Sequence, residues 1–182
     1  ILLSETAADD PRRALLEKVE KQTFRASRIV SNLLDFARTP GRERHGVDLG
    51  ALVEETSELL RERMSARSVR FTWAPPDPPV TVLGSPGELQ QVLTNLMMNA
   101  IDAMAPNGGG QLAVRLMRQD DRAIMAVEDT GTGVPADQLE AIFAPFFTTK
   151  RGQGGTGLGL SISHNIVEQH GGSIAVENLA DG

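Results

Sequence analysis

The stretch from Asp129 to Leu160 constrains this chain more than any other. It opens with Asp129-Thr130-Gly131-Thr132-Gly133 and closes with Gly155-Thr156-Gly157-Leu158-Gly159-Leu160, with Phe143, Phe146, Phe147 and the pair Lys150-Arg151 between. Seven of the 18 glycines fall inside it. Loops of this length in compact domains are either functional or disordered, and a disordered one does not normally carry three phenylalanines. The segment therefore reads as a mobile cover over a phosphate-bearing ligand.

Composition narrows the setting. With 182 residues, 40% of them hydrophobic and 23% charged, the chain has an ordinary globular make-up and room for one or two domains. No apolar run approaches the ~18 residues of a membrane span, and nothing reads as a signal peptide. The absence of cysteine excludes a disulfide scaffold or thiolate metal site and fits a reducing cytosol. A formal net charge of −6 argues against a non-specific nucleic-acid binder. The expectation is a cytoplasmic fragment with no nucleic-acid partner and no membrane contact of its own. Both ends read as cut: Ile1-Leu2-Leu3 begins inside an apolar run, and Asp181-Gly182 stops on a turn.

In chain order, residues 1–8 read as the tail of a helix. Asp9-Asp10-Pro11 reads as a hairpin turn, with Asp10 as N-cap and Pro11 at the first helical position. A helix over 12–38 follows, with Leu16, Val19, Thr23, Ala26, Val30, Leu33 and Ala37 at alternating steps of three and four. A second seam of Leu15, Ile29 and Phe36 widens that stripe to a width suited to a four-helix bundle. Since no other long helical partner lies nearby, a second copy of the chain is expected to supply it. Residues 39–46 are polar, with Pro40, Gly41 and Gly46, and read as a linker.

A mixed α/β pattern begins at residue 47. Strands are expected at 47–49, 69–73, 80–83, 112–118, 123–127 and 173–176, and helices at about 50–66, 85–104 and 158–170. Ala74 to Pro79 reads as a rigid turn, and Gln119-Asp120-Asp121 as the tip of a hairpin. Gly171 reads as the C-cap of the last helix, with His170 at its dipole end. Ser85-Pro86-Gly87-Glu88 has the form of a capping box. The helix behind it is apolar over most of its circumference, through Leu89, Val92, Leu93, Leu96, Met97, Ala100, Ile101 and Met104. One polar stripe interrupts that surface: Glu88, Gln91, Asn95, Asn99 and Asp102. Asparagine is a poor interior helix former because its amide competes for backbone bonds. Two of them one turn apart suggest a task, such as coordinating a hard cation through oxygen. The plainer reading is a solvent-facing stripe, although exposed stripes are more often Lys and Glu.

No G-x-x-x-x-G-K-[ST] occurs, which rules out a P-loop. Gly152 to Gly157 matches G-x-G-x-x-G as a string, but Phe146-Phe147-Thr148-Thr149-Lys150 stands where a strand is required, so the dinucleotide reading is rejected. What remains is physical. Glycines just before a helix N-terminus expose N–H groups to an anion, Lys150 and Arg151 add positive charge, and Asp129 at a strand end can accept from an exocyclic amine such as that of adenine. Three scattered histidines without cysteine give no zinc spacing.

Taken together, these runs resemble the sensor histidine kinases. QVLTNLMMNAIDAM is similar to their asparagine box, DTGTG to the first glycine box, APFFTTK to the phenylalanine box and GTGLGLS to the second glycine box. RIVSNLLDFAR in the 12–38 helix resembles the second helix of their dimerisation hairpin, and IVEQHGG the end of the helix after the lid. The resemblance covers nearly the whole chain. It implies an α+β fold: a two-layer α/β sandwich, with a mixed sheet carrying helices on one face (the Bergerat ATP fold). Before it would stand part of a helical hairpin from a dimeric four-helix bundle. The implied domains are 1–38 (hairpin), 39–46 (linker) and 47–182 (ATP-binding).

The resemblance further implies ATP and Mg²⁺ as ligands, a homodimer through helix 12–38 and a response-regulator receiver domain as partner. It makes Asn99 the metal ligand with Asn95 supporting it, and Asp129 the adenine contact beside Gly131 and Gly133. The remaining nucleotide contacts would be Asp102, Phe147, Thr148, Lys150, Gly155, Thr156, Gly157, Leu158, Gly159 and Leu160. The implied reaction is transfer of the γ-phosphoryl group to a histidine, which depends mainly on positioning and charge neutralisation. The acceptor histidine, normally on the first hairpin helix, is absent from the sequence; His45, His164 and His170 are not expected to replace it. Two other readings are a nucleotide-binding switch without kinase activity and a Bergerat-type ATPase.

Overall fold

The computed structural model describes residues 44–149 and 155–179, together with positions 10–13, 15, 16, 19 and 23. At the first of these, Arg12 N donates to Asp10 Oδ1 at 2.7 Å, so Asp10 caps the helix as its position before Pro11 predicts. The Arg12 guanidinium, bonded to the same carboxylate, holds the Asp10 carboxyl below the usual range. Positions 13, 15, 16, 19 and 23 are helical. The rest of the expected 12–38 helix and most of the linker lie outside the described residues.

From residue 45 the chain forms β1 (His45–Asp48), α1 (Leu49–Ala66), β2 (Val69–Trp73), β3 (Thr81–Gly84), α2 (Pro86–Met104), β4 (Gly110–Gln119), β5 (Arg122–Asp129) and α3 (Gly159–Gln169). The strands make two sheets among the described residues. β1 pairs antiparallel with β3, while β2, β4 and β5 lie in that order, the first pair parallel and the second antiparallel. The expected single mixed sheet is thus divided, with β1–β3 standing apart.

Three boundaries differ from the sequence reading. Pairing with β3 draws His45 and Gly46, assigned to the linker, into β1. The first strand stops at Asp48 rather than Leu49, because Asp48 Oδ1 accepts from Gly50 N at 2.8 Å and Ala51 N at 3.3 Å and so starts α1. Residues 173–176 form no strand. A strand is defined by its ladder partners, and this segment has none among the described residues and is largely exposed.

The core lies between the helices and one face of the larger sheet. Leu112, Val114 and Leu116 of β4 point inward while Arg115 and Met117 point out, the alternation of a sheet covered on one side. Against them pack Val53, Leu60 and Met64 of α1 and Leu93, Met97, Ile101 and Met104 of α2. Met97, Ile101 and Met104 are each 0% exposed. A smaller cluster joins Val92 of α2 to Leu158, Ile162 and Ile166 at α3, with Leu96 and Val167 beside it. α2 therefore belongs to both clusters, which is why its apolar residues cover most of its circumference.

Met97→Ala is expected to lower unfolding free energy by about 2–5 kcal/mol, the usual cost of truncating a fully buried side chain. Leu59→Ala, at a residue 70% exposed, should stay within about 0.5 kcal/mol. Urea midpoints of the two variants check this.

Candidate functional site

Two glycine-bearing segments meet α2, two turns apart. At the end of β5, Thr130 N donates to Gln111 O and Gln111 N to Thr130 Oγ1, extending the β4–β5 pairing by one step. Asp129 Oδ1 accepts from Gly131 N at 2.8 Å. Gly131 is buried directly against α2: a Cβ there would sit 2.5 Å from Asp129 Oδ1 and 2.7 Å from Ala103 Cβ. Thr132 N then donates to Ala103 O. Only glycine lets the backbone come this close to the helix.

The start of α3 reaches α2 two turns earlier. Asn95 Nδ2 donates to Gly159 O at 3.2 Å and to Ser163 Oγ at 3.3 Å. Leu158 N is held by Thr156 Oγ1 at 3.4 Å. Among the described residues, the N–H groups of Gly159, Leu160 and Ser161 have no acceptor, since the first bond of the helix is Ile162 N to Leu158 O. Such a helix end carries unsatisfied donors and a partial positive charge, which suit phosphate.

Asn99 stands on α2 between these two contacts, exposed, its side-chain amide bonded to no described residue. Asn95 and Ala103 are eight residues apart, which at the rise of an α-helix is about 12 Å. An amine-accepting carboxylate thus lies near one end of this span, a phosphate-suited helix terminus at the other, and an oxygen donor midway.

Between Gly131 and Gly157 runs the lid. Its described part contains two single turns of 3-10 helix, Ala136–Gln138 and Ala141–Phe143, with Ile142 buried. The Phe143 ring lies 5.5 Å from that of His164 on α3. Phe146 N donates to Gly157 O at 2.8 Å. Gly157 has φ +69, and a Cβ there would lie 2.4 Å from the Phe146 carbonyl carbon, so the glycine lets the two sides of the lid close on each other. The root is tied as well: Asn178 Oδ1 accepts from Val134 N at 2.9 Å and Asn178 Nδ2 donates to Val134 O at 2.7 Å.

The expected site residues sort accordingly. Asp129, Gly131, Asn95, Asn99, Thr156, Gly157, Gly159 and Leu160 line the two ends and the middle of the span. Gly133, with φ +66, packs against Asn178 at the lid root. Phe147 and Thr148 are half-buried on the lid, and Gly155 lies at its far end. Leu158 is 4% exposed within the smaller apolar cluster, so only its backbone faces the site. Asp102 Oδ1 is bonded to Arg63 Nη2 of α1 at 3.0 Å, an ion pair at the rim. Lys150 lies outside the described residues. Sequence reasoning missed Asn178, a residue after the last helix whose role depends on a fold contact 44 residues away in sequence.

Residues 84–182 match the family described as histidine kinase-, DNA gyrase B-, and HSP90-like ATPase. The chain is 38% identical over 165 residues to the sensor histidine kinase ZraS of Escherichia coli O157:H7, covering 91% of this chain and 35% of that protein. It thus spans about a third of the length of such relatives. The nucleotide-free catalytic domain of the histidine kinase ThkA superposes with a TM-score of 0.70 at 33% identity, over 77% of this chain and 90% of that one. ThkA in complex with the response regulator TrrA matches with a TM-score of 0.78 at 26% identity, over 98% of this chain and 51% of that one. Full-length ShkA in complex with AMPPNP matches with 0.80 at 27%, over 98% and 38%. The chain belongs to this ATPase family, as the ATP-binding region of a sensor histidine kinase. No described helix is long and apolar enough to cross a membrane.

Gly131→Ala should weaken ATP-analogue binding about tenfold or more, since its Cβ collides with Ala103 and with the Asp129 carboxylate (1.4 kcal/mol per decade). Equilibrium titration against wild type measures it; Gly108→Ala, strained by its φ of +76 but with open space around it, is the control and should melt lower while keeping wild-type affinity.

Proposed function

We propose that this region binds Mg-ATP and transfers its γ-phosphoryl group to a histidine on a dimerisation hairpin, for onward passage to a response-regulator aspartate. The observation that carries the reading is the order of contacts along α2: the α3 N-terminus at Asn95, the outward amide of Asn99, and the Asp129–Gly131 turn at Ala103. A nucleotide laid across that helix would give its exocyclic amine to Asp129 and its phosphates to the N–H groups at Gly159–Ser161. Lys150 would add charge from the lid. Phe147 and Thr148 would close over the ligand.

The donor set also suits Mg²⁺, which takes oxygen ligands and is usually held by few protein groups together with substrate phosphates. Asn99 would supply that oxygen, with Asn95 fixing the helix end opposite. When bound, the ion neutralises phosphate charge. The protein's own part is to hold base and phosphates at fixed points and to exclude water beneath the lid. A neutral imidazole nitrogen is already nucleophilic, so the acceptor needs orientation rather than a strong base.

The acceptor belongs to another helix. His45 is on β1, His164 lies against Phe143, and His170 is buried with both ring nitrogens engaged. The helical positions at the N-terminal end support a dimer: Leu15 and Val19, four residues apart on one face, are 64% and 54% exposed. Pairing with a second copy would cover them. The response regulator TrrA bound to ThkA supports the same partner class here.

Mixed with ATP and a separate hairpin carrying a histidine, the chain is expected to place acid-labile phosphate on that hairpin. Bound ATP without such transfer would favour a nucleotide switch, and steady phosphate release without an acceptor would favour an ATPase. Asn99→Ala should abolish Mg²⁺-dependent ATP binding while leaving the melting temperature within a few degrees; unchanged affinity would remove Asn99 as ligand.

A further inference from the structure

We propose that His170 is a positioning residue which sets how far α3 lies along α2, and so where the phosphate-binding helix end stands relative to Asn99. The inference rests on the nucleotide reading above.

The two helices run antiparallel, and polar bonds hold them at both ends. Asn95 grips Gly159 and Ser163 at one. At the other, the His170 side chain is 8% exposed and both its ring nitrogens are used. Nδ1 lies 2.7 Å from Ile166 O, which can only accept, so Nδ1 carries the proton. Nε2 is then an acceptor, and it takes the backbone N–H of Ser85 at 3.1 Å. Ser85 is the N-cap of α2, and in a capping box this N–H would bond to Glu88. Here Ser85 makes no side-chain cap bond, and the Glu88 carboxylate lies 3.9 Å from His170 Nε2 instead. The ring is seated over Gly84, where a Cβ would come within 2.8 Å of His170 Cδ2.

Between these two ends the contact is apolar: Val92 and Leu96 against Leu158, Ile162, Ile166 and Val167. Apolar burial is non-directional and tolerates small sliding. The hydrogen bonds at the ends are directional, so they fix the register. A second bond joins the junction to the segment entering β1: the Arg44 guanidinium donates to Gln169 O, the last carbonyl of α3. Arg44 precedes β1, β1 pairs with β3, and β3 leads into Ser85. The contacts close a ring through which movement of that segment would reach the start of α3 and the phosphate end of the site.

The test compares His170→Ala, His170→Gln and Arg44→Ala, with Val53→Ala as a core variant remote from α3. The readouts are the dissociation constant of a non-hydrolysable ATP analogue and the melting temperature. His170→Ala should weaken binding about fivefold to tenfold, the scale of one buried hydrogen bond. His170→Gln, whose amide can both accept from Ser85 and donate to Ile166, should return within about twofold of wild type. Arg44→Ala should weaken binding by about twofold to threefold with an unchanged melting temperature. Val53→Ala should melt lower yet keep wild-type affinity. Equal affinities in the Ala and Gln variants, or an equal loss in Val53→Ala, would overturn the proposal, and unchanged affinity in Arg44→Ala would remove the link to β1. A wild-type chain that binds no analogue would instead sink the nucleotide reading.

Discussion

Everything in this structure depends on the packing of one helix, α2, on nearly all sides at once. Its apolar residues supply Leu93, Met97, Ile101 and Met104 to the main core and Val92 to the smaller one. A helix so enclosed has little freedom to shift, because interiors are packed at crystal-like density. Groups attached to it inherit that rigidity. Positioning is what phosphoryl transfer chiefly requires, so the immobility of α2 supports the transfer proposed above.

The polar stripe of α2 shows how that rigidity is used. Three of its members lie against different neighbours. Glu88 lies beside His170, Asn95 bonds to the start of α3, Asn99 faces outward, and Asp102 pairs with Arg63 of α1. Among the described residues, the Asn99 side chain has no hydrogen-bond partner. A stripe that appears uniform as a sequence is therefore a set of separate fastenings around one outward-facing amide.

The glycines divide by the same logic. Gly131 admits the β5 end to the surface of α2, and Gly157 lets the lid's closing segment meet Phe146. Both are close-approach positions rather than points of flexibility. The lid is accordingly tied at its root by Asn178 and at its far side by Gly157, with Phe143 resting on α3 between them.

Much of this was legible from residues alone. The period of α2 and the alternation in β4 marked helices and strands, because periodicity is a local property, and the order of the asparagine and glycine runs carried the family resemblance that implied the fold class. What sequence could not decide was partnership. It assigned Ser85 and Glu88 to a capping box, where the fold instead brings His170 to the Ser85 N–H. It read 173–176 as a strand from propensity, although no ladder partner is at hand among the described residues. It gave no sign that Asp102 pairs with Arg63 or that the Leu158 side chain joins an apolar cluster. It gave no hint of Asn178. In each case the deciding contact joins segments far apart in the chain. Local sequence specifies what a residue can do, but only the packing of α1, α2 and α3 on the sheet determines which group it meets.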